Sequence, residues 1–596
     1  MPPAEPEVAA PARGHAAPGA RAPRAEANGA RGSGARTGLA RHVTGTEGRR
    51  NAIALGIVAL VVALPVRGLF RSPGPPMEEG FMLVFPEQVL KGALPNRDFL
   101  HLYGPGSLWA LAGVFKVFGV SVISERAVGL LQQLAIIFGV YALARRWGRT
   151  LAVTAAVTSA LIIIPFGFTA LAWVGGVGLA ICGLAAGVEA RASTDEPRAR
   201  RWAVLGGVLL GLAVLFRLDL ALGVGIATIA LVRGMPKARA HRLYAGIGAG
   251  LAPYVIQLAT AGPGHSIQGM VVEPVFKLRG GRGLPIPPAW GHFDGFLQRA
   301  GALAQISWPF PALARPHQLF LWFFMLLGAI AFVLWQGWQA TRRRPTSVSA
   351  RTLFVVGIFG LGILPQALQR VDSGHFAWVS CVVFAFVPIA IFEAVRHHAP
   401  QVPVRRVTLA SGGVMLVLLA FVIPAFTIRT YGDYSLQTFG IHRASYAVRH
   451  NGRVFYYGKP DRAAAANMVV AAAARISKPG QRLFVGPVNL RKTPYSDAYL
   501  YFLLPDLVPA TYYIEMDPFD VTTSRLPHDL ESADVVILSK IWDDWSEPND
   551  SSKVGPATSQ QVLERHFCHV GTYLNLYQLW QKKPASGMCV PDPAAS

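Results

Sequence analysis

"MEEGFMLVFPEQVLKGALPNRDFLHLYGPG" (residues 77–106) follows the first long apolar segment of the chain and precedes more apolar sequence. Adjacent carboxylates, Glu78 and Glu79, open it; Arg97, Asp98, His101, Tyr103 and a Gly-Pro-Gly turn close it. So many ionisable and turn-forming residues, placed just outside an apolar segment, mark a loop at a membrane surface with work to do.

The surrounding chain fits that setting. Of 596 residues, 52% are hydrophobic and 15% charged, and the mean hydropathy is +0.37. A soluble protein carries about a quarter charged residues. Apolar stretches of roughly 17–25 residues recur, each long enough to cross a bilayer core of about 30 Å. The chain reads as a polytopic α-helical membrane protein.

The net charge of +23 does not point to nucleic acid, because the basic residues cluster in short stretches between apolar segments, at 144–149, 189–201, 232–242, 340–351 and 393–406. Such an excess in alternate loops is the signature of cytoplasmic connections. Residues 1–50, rich in Ala, Pro, Gly and Arg, lack the apolar surface to fold and are expected to be a disordered basic cytoplasmic tail. Membrane lipids are therefore the expected surroundings and nucleic acid is excluded as a partner.

The expected spans begin at 51–70 and 126–142, continue with 150–165 and 171–188, and reach the long apolar run 203–232. That run carries Arg217 and Asp219 in its middle and reads as two shorter spans meeting at the outer face. Segments 244–258, 319–335, 353–364, 376–392 and 407–424 complete about eleven spans, with every basic loop inside and the C-terminus outside. The membrane part is expected over 51–426. Within its first outer loop (71–122), "EGFMLVFPEQVLKGA" reads as an amphipathic helix at the interface and "SLWALAGVFKVFG" as a second juxtamembrane helix.

From 427 to 596 the composition changes. "RLFVGP" (482–487), "ATYYIEM" (510–516) and "ADVVILS" (533–539) read as strands alternating with helical segments at 459–476 and 496–504, which predicts an extracytoplasmic α/β domain. No Gly-rich phosphate loop follows its first strand. Cys182 and Cys381 lie in apolar segments as packing residues, whereas Cys568 and Cys589 fall where a disulfide would be stable if this part is extracytoplasmic.

The outward-facing ionisable residues make a short list. The first loop gives Glu78, Glu79, Glu87, Arg97, Asp98, His101 and Tyr103, and the paired half-spans give Arg217 and Asp219. The loop near 261–316 gives His265, Glu273, Lys277, Arg279, Arg282, His292 and Asp294; a later one gives Arg370, Asp372 and His375. Arg217–Asp219 and Arg370–Asp372 also fit local ion pairs snorkelling to the headgroups. Acids beside bases at the outer leaflet suit transfer from a lipid-linked phosphosugar: a carboxylate deprotonates an acceptor hydroxyl while Arg or His stabilises the departing phosphate. Nucleotide donors are scarce outside a membrane, which favours lipid-linked ones.

The stretch resembles the first extracytoplasmic loop of the GT-C superfamily of polyprenyl-phosphate-sugar-dependent glycosyltransferases, such as protein O-mannosyltransferases and the bacterial aminoarabinose transferase of lipid A. The matching residues are Glu78-Glu79-Gly80, Leu90, Gly92, Pro95, Arg97-Asp98, Tyr103-Gly104-Pro105, Phe118-Gly119 and Arg126. Arg370, Asp372 and His375 look like an element of actinobacterial-type members. The resemblance implies a GT-C-like membrane domain and an inverting glycosyltransferase that moves a sugar from a polyprenyl-phosphate donor to an envelope glycan, lipid or protein acceptor. By similarity Glu78 takes the place of the catalytic aspartate, with Glu79 and Asp98 as further catalytic candidates. Arg97, His101, Tyr103, Arg217, Asp219, Arg370, Asp372 and His375 are the substrate-binding candidates. Two departures stand out: the first acid is Glu, and "IIIPFGFTALAW" (162–173) lacks the family's frequent second carboxylate. No motif requires a cofactor, although paired carboxylates near phosphate suit Mg²⁺ or Mn²⁺. The competing readings are a flippase of lipid-linked sugars, whose charges would lie at midplane depth in mirrored repeats, and a non-catalytic envelope scaffold.

Overall fold

The computed structural model describes residues 46–290, 315–421, 425–441, 445–518 and 520–584. His292, Asp294 and Cys589 lie outside the described residues, as does nearly all of the N-terminal tail. Residues Ile53–Ser596 form one compact unit.

Among the described residues, nine helices are long and apolar enough to cross a membrane, from Glu47–Leu69 to Ser373–His398. Two further expected segments are also helical: Leu220–Val232, which is shorter, and the 18-residue Val404–Phe421. Among the described residues, every expected span is therefore helical. The chain is a polytopic helical membrane protein with a C-terminal α/β region.

Local chemistry sets the breaks. Ser121 accepts from the Ser124 N–H and starts the Val122–Ala144 helix; Asp372 accepts from the His375 N–H and starts Ser373–Val383. Arg217 is extended (φ −144°), so the apolar run parts into Glu196–Phe216 and Leu220–Val232 at the Arg217–Asp219 corner. The Phe166, Arg217 and Gln369–His375 ends of these helices gather on one side of the bundle. The arginine-rich connections lie at the opposite ends of the same helices.

The Glu78–Leu90 helix departs from expectation. It does not lie amphipathically on the interface: Glu79 through Glu87 are all buried. Five consecutive apolar residues, Phe81–Phe85, leave no polar face, so the helix must be covered all round. Its cover is the Pro105–Phe118 helix on one side and the C-terminal region on the other. Phe81, Leu83 and Phe85 share one core with Val448, Phe455, Tyr499, Tyr501 and Leu503, and burying each contributes roughly 1.5–3 kcal/mol. The Pro105–Phe118 helix buries Leu108, Leu111 and Phe115 and exposes Val117 and Phe118.

In the C-terminal region β1 (Tyr446–His450) and β2 (Arg453–Tyr457) form an antiparallel pair. A five-stranded sheet follows, from β3 (Arg482–Pro487), β4 (Val508–Pro509), β5 (Val535–Ser539), β6 (Phe567–Tyr573) and β7 (Tyr577–Lys582) in the order β4-β3-β5-β7-β6. β3 pairs parallel with β4 and β5, whereas β7 pairs antiparallel with β5 and β6. β3 and β5 stand where the sequence places them, and the predicted helices are found at Pro460–Ile476 and Tyr499–Leu503. "ATYYIEM" is not a strand. After Pro509 the chain leaves the sheet edge as a loop, and this turns Glu515 and Asp517 toward the membrane helices. Cys568 is disulfide-bonded, and Cys182 and Cys381 are free thiols.

Candidate active site

A cavity of about 190 Å³ lies where the gathered helix ends meet the C-terminal region. Glu78, Tyr103, Arg217, Arg282, Arg370, Asp372 and His375 line it from the membrane part, with Phe81, Phe166, Trp173 and Trp378 as aromatic walls. Tyr495, Glu515, Asp517, Trp545 and Glu547 close it from the other side.

Glu78 stands in the first turn of the Glu78–Leu90 helix, and its Oε2 accepts from the Tyr495 hydroxyl. Burial pushes its carboxyl up to about 7, against the lowering effect of the Tyr495 hydrogen bond. A carboxylate titrating there serves equally well as proton acceptor or donor near neutral pH.

The three cavity arginines are each held by carboxylates. Arg217 binds Asp219 through two contacts at 3.0 and 2.6 Å, and its guanidinium lies 4.5 Å from the Tyr103 ring centre and 5.3 Å from that of Trp173. Arg282 binds Glu515 at 2.5 Å and also Asp517. Arg370 binds Asp372 at 2.7 Å, donates to the Arg282 carbonyl at 3.2 Å and reaches Glu547. Asp372 in turn accepts from His375 Nδ1 at 2.8 Å. Burial alone would raise its carboxyl, but His375 and Arg370 hold it well below the usual range. Burial pushes Asp517 up to about 6, with Arg282 opposing and Glu515 adding to the rise. The result is a pocket of preorganised, partly desolvated guanidinium groups beside Glu78, a carboxyl poised near neutrality that no arginine pairs among the described residues. That arrangement can hold an anionic group and move a proton at the same time.

Five of the sequence candidates, Glu79, Arg97, Asp98, His101 and Asp219, do not line the cavity. Glu79 is fully buried behind the cavity wall, paired bidentately with Arg126 at 2.5 and 2.8 Å. Arg126 also donates to the Leu69 and Ser72 carbonyls, both at 2.9 Å. This pair fastens the Glu78–Leu90 helix to the Val122–Ala144 helix and has no access to a substrate. Gly74 is needed beside it, since a Cβ there would fall 1.5 Å from Glu79 Oε2. Asp98 is engaged in a surface turn, where it accepts from the Leu94 N–H at 2.7 Å and pairs with the exposed Arg97 at 2.9 Å. His101 is buried edge-on between Phe85 and Tyr103, and burial pushes its imidazole down to about 4. Glu79, Asp98, Arg97 and His101 thus do not reach the cavity wall and make contacts within and beside the loop, and Asp219 is the counter-ion of Arg217.

Comparison with solved structures returns ArnT from Cupriavidus metallidurans bound to undecaprenyl phosphate, at 15% identity over 92% of this chain and 98% of that one, with a TM-score of 0.46. The apo state of ArnT from the same organism aligns at 14% identity over 89% and 98%, TM-score 0.47. The Archaeoglobus fulgidus oligosaccharyltransferase in complex with Zn and sulfate aligns at 11% over 86% and 72%, TM-score 0.39. No protein-family model and no curated protein matches the chain.

The sequence assigns the C-terminal domain to binding or positioning the acceptor glycan but does not single out the residues it contributes. Tyr495, Glu515, Asp517 and Glu547 have no motif around them. A usable signal was present in "IEMDP", where Glu515 and Asp517 at i and i+2 fall on one side of an extended chain. Arg282 was within the ionisable residues of its loop without being singled out. Among the described residues no group of three or more His, Cys, Asp or Glu side chains has the arrangement to hold a metal ion. The carboxylates lining the cavity are engaged instead by arginine, histidine or tyrosine.

Proposed function

We propose that the protein is an inverting glycosyltransferase that transfers a sugar from a polyprenyl-phosphate donor to an envelope glycan, lipid or protein acceptor, on the outer face of the cell membrane. One observation carries the reading. Glu78, in the loop that resembles the GT-C signature, faces a cavity that also holds three arginines, at the helix ends opposite the arginine-rich connections. That placement supports a cavity at the headgroup level of the outer leaflet, with the N-terminus cytoplasmic and the C-terminal region outside.

In this mechanism Glu78 accepts the proton of the acceptor hydroxyl as its oxygen attacks the anomeric carbon. The bond from that carbon to the phosphate oxygen breaks, and its electron pair leaves on the polyprenyl phosphate. Arg217, Arg282 and Arg370 stabilise the added negative charge. Trp173, Trp378 and Trp545 offer apolar faces for the sugar ring. Two features disfavour a flippase. The charges collect at one end of the bundle, and they are tied into ion pairs with an outer region that would have to release them in every cycle.

The test uses purified full-length protein with a membrane extract from cells lacking it, following release of polyprenyl monophosphate by mass spectrometry. Wild type should release it, and Glu78→Gln should lose about 10²–10⁴-fold in rate, the usual contribution of a general base. Equal release by the two proteins would overturn the assignment.

A further inference from the structure

The C-terminal region does more than close the cavity. Tyr495 reaches Glu78 from 417 positions away, and the contacts around this phenol determine which way its proton points. The Met77 N–H donates to Tyr495 Oη at 3.1 Å, which occupies a lone pair and leaves the O–H to donate to Glu78 Oε2.

The ring itself is immobilised. It lies 4.3 Å from Trp542, whose Nε1–H donates to Asp497 at 3.0 Å, and Asp497 accepts from the Tyr577 hydroxyl at 2.7 Å. On the other side the Tyr499 N–H donates to the Pro76 carbonyl at 3.2 Å. The helix carrying Glu78 sits so close that a Cβ at Gly80 would fall 2.4 Å from the Tyr499 nitrogen. Both partners of the Tyr495–Glu78 hydrogen bond are therefore fixed to the same frame.

We propose that Tyr495 is the positioning residue of the base: its O–H fixes Glu78 Oε2 and leaves Oε1 for the acceptor proton. The proposal rests on Glu78 as the base. Besides its own backbone N–H, Tyr495 is the hydrogen-bond donor to Glu78 among the described residues; Arg282 and Glu515 act on it through their charges. Across the cavity stand Arg217, Arg370, Asp372, His375, Asp517 and Glu547, and Tyr103 lies in its wall. Burial already holds Glu78 near neutrality. Without the phenol, the carboxyl would keep its proton at neutral pH and fail as a base.

The experiment is the pH dependence of kcat and KM for polyprenyl monophosphate release, with full-length protein and membrane extract as substrate. Tyr495→Phe should move the acid limb of kcat up by about 1–2 pH units, the effect of losing one hydrogen bond to a charged group. Activity should return at alkaline pH and KM should hold. Placing 3,5-difluorotyrosine at 495, which keeps the shape and strengthens the donor, should move the limb down. A limb that stays put in both proteins, or a loss equal at all pH values with Tyr495→Phe, overturns the proposal. If Tyr495→Phe does not fold, the fluorinated protein decides alone. Glu78→Gln separates the two ideas: an active Glu78→Gln sinks the base itself, whereas an inactive one beside unshifted Tyr495 proteins sinks only the positioning role.

Discussion

Glu79→Gln separates the structural role of Glu79 from a catalytic one. The substitution keeps the shape and removes the charge facing Arg126, leaving a buried guanidinium held by the Leu69 and Ser72 carbonyls and a neutral amide. Both side chains are essentially without solvent, at 2% and 0% exposure, so water cannot make up the difference. Breaking one side of such a pair costs about 3–5 kcal/mol. Glu125, buried beside the pair, still acts on Arg126 through its charge, which places the expected loss toward the lower half of that range. The assay is unfolding of the detergent-solubilised protein, alongside Arg126→Met and the double variant Glu79→Leu/Arg126→Met. The double variant should recover only part of the loss, because it removes both charges of the pair but leaves Glu125, buried beside them, without Arg126. The folded fraction of Glu79→Gln should still release polyprenyl monophosphate. A Glu79→Gln protein as stable as wild type but inactive would refute this reasoning and restore Glu79 to the chemistry.

Other outcomes follow from the same contacts. Gly74→Ala should destabilise the fold about as much as Glu79→Gln, since the new Cβ would occupy the place of Glu79 Oε2, and the same unfolding assay reads it. Glu547→Gln removes one anchor of Arg370 while leaving Asp372, so kcat should fall several-fold with a smaller effect on folding, as steady-state kinetics would report. Glu78 also links stability to pH. Its carboxyl titrates near 7 in the fold against 4.5 unfolded, so the folded state binds the extra proton between those values and stability falls as pH rises through that window. Glu78→Gln should flatten that part of a stability-versus-pH curve.

The membrane part was legible because a span writes itself into local composition: each expected apolar segment is a helix, and the Arg217–Asp219 break lies where the charges interrupt the run. Glu78, Tyr103, Arg217, Arg370, Asp372 and His375 were legible for a related reason, since ionisable residues are conspicuous among apolar ones. Distinguishing Glu78 from Glu79 was beyond sequence. Adjacent positions on a helix point about 100° apart, and only the packing decides that one meets the cavity and the other Arg126. The amphipathic reading of residues 79–93 failed because a helix buried all round and a helix on a membrane both begin with apolar excess. The C-terminal contribution was hidden by distance along the chain. Arg370 meets Glu547 across 177 positions and Arg282 meets Asp517 across 235, and no local pattern announces either pair.

The central claim is that Glu78 carries out sugar transfer from a polyprenyl-phosphate donor. The most direct measurement is mass spectrometry of envelope glycans and polyprenyl-phosphate sugars in cells lacking the protein, restored with wild type or with Glu78→Gln at equal membrane levels. The null strain should lack one glycan constituent and accumulate its unspent donor; wild type should reverse both, and Glu78→Gln neither. Full restoration by Glu78→Gln, or a null strain with unchanged glycans and donor, would contradict the account.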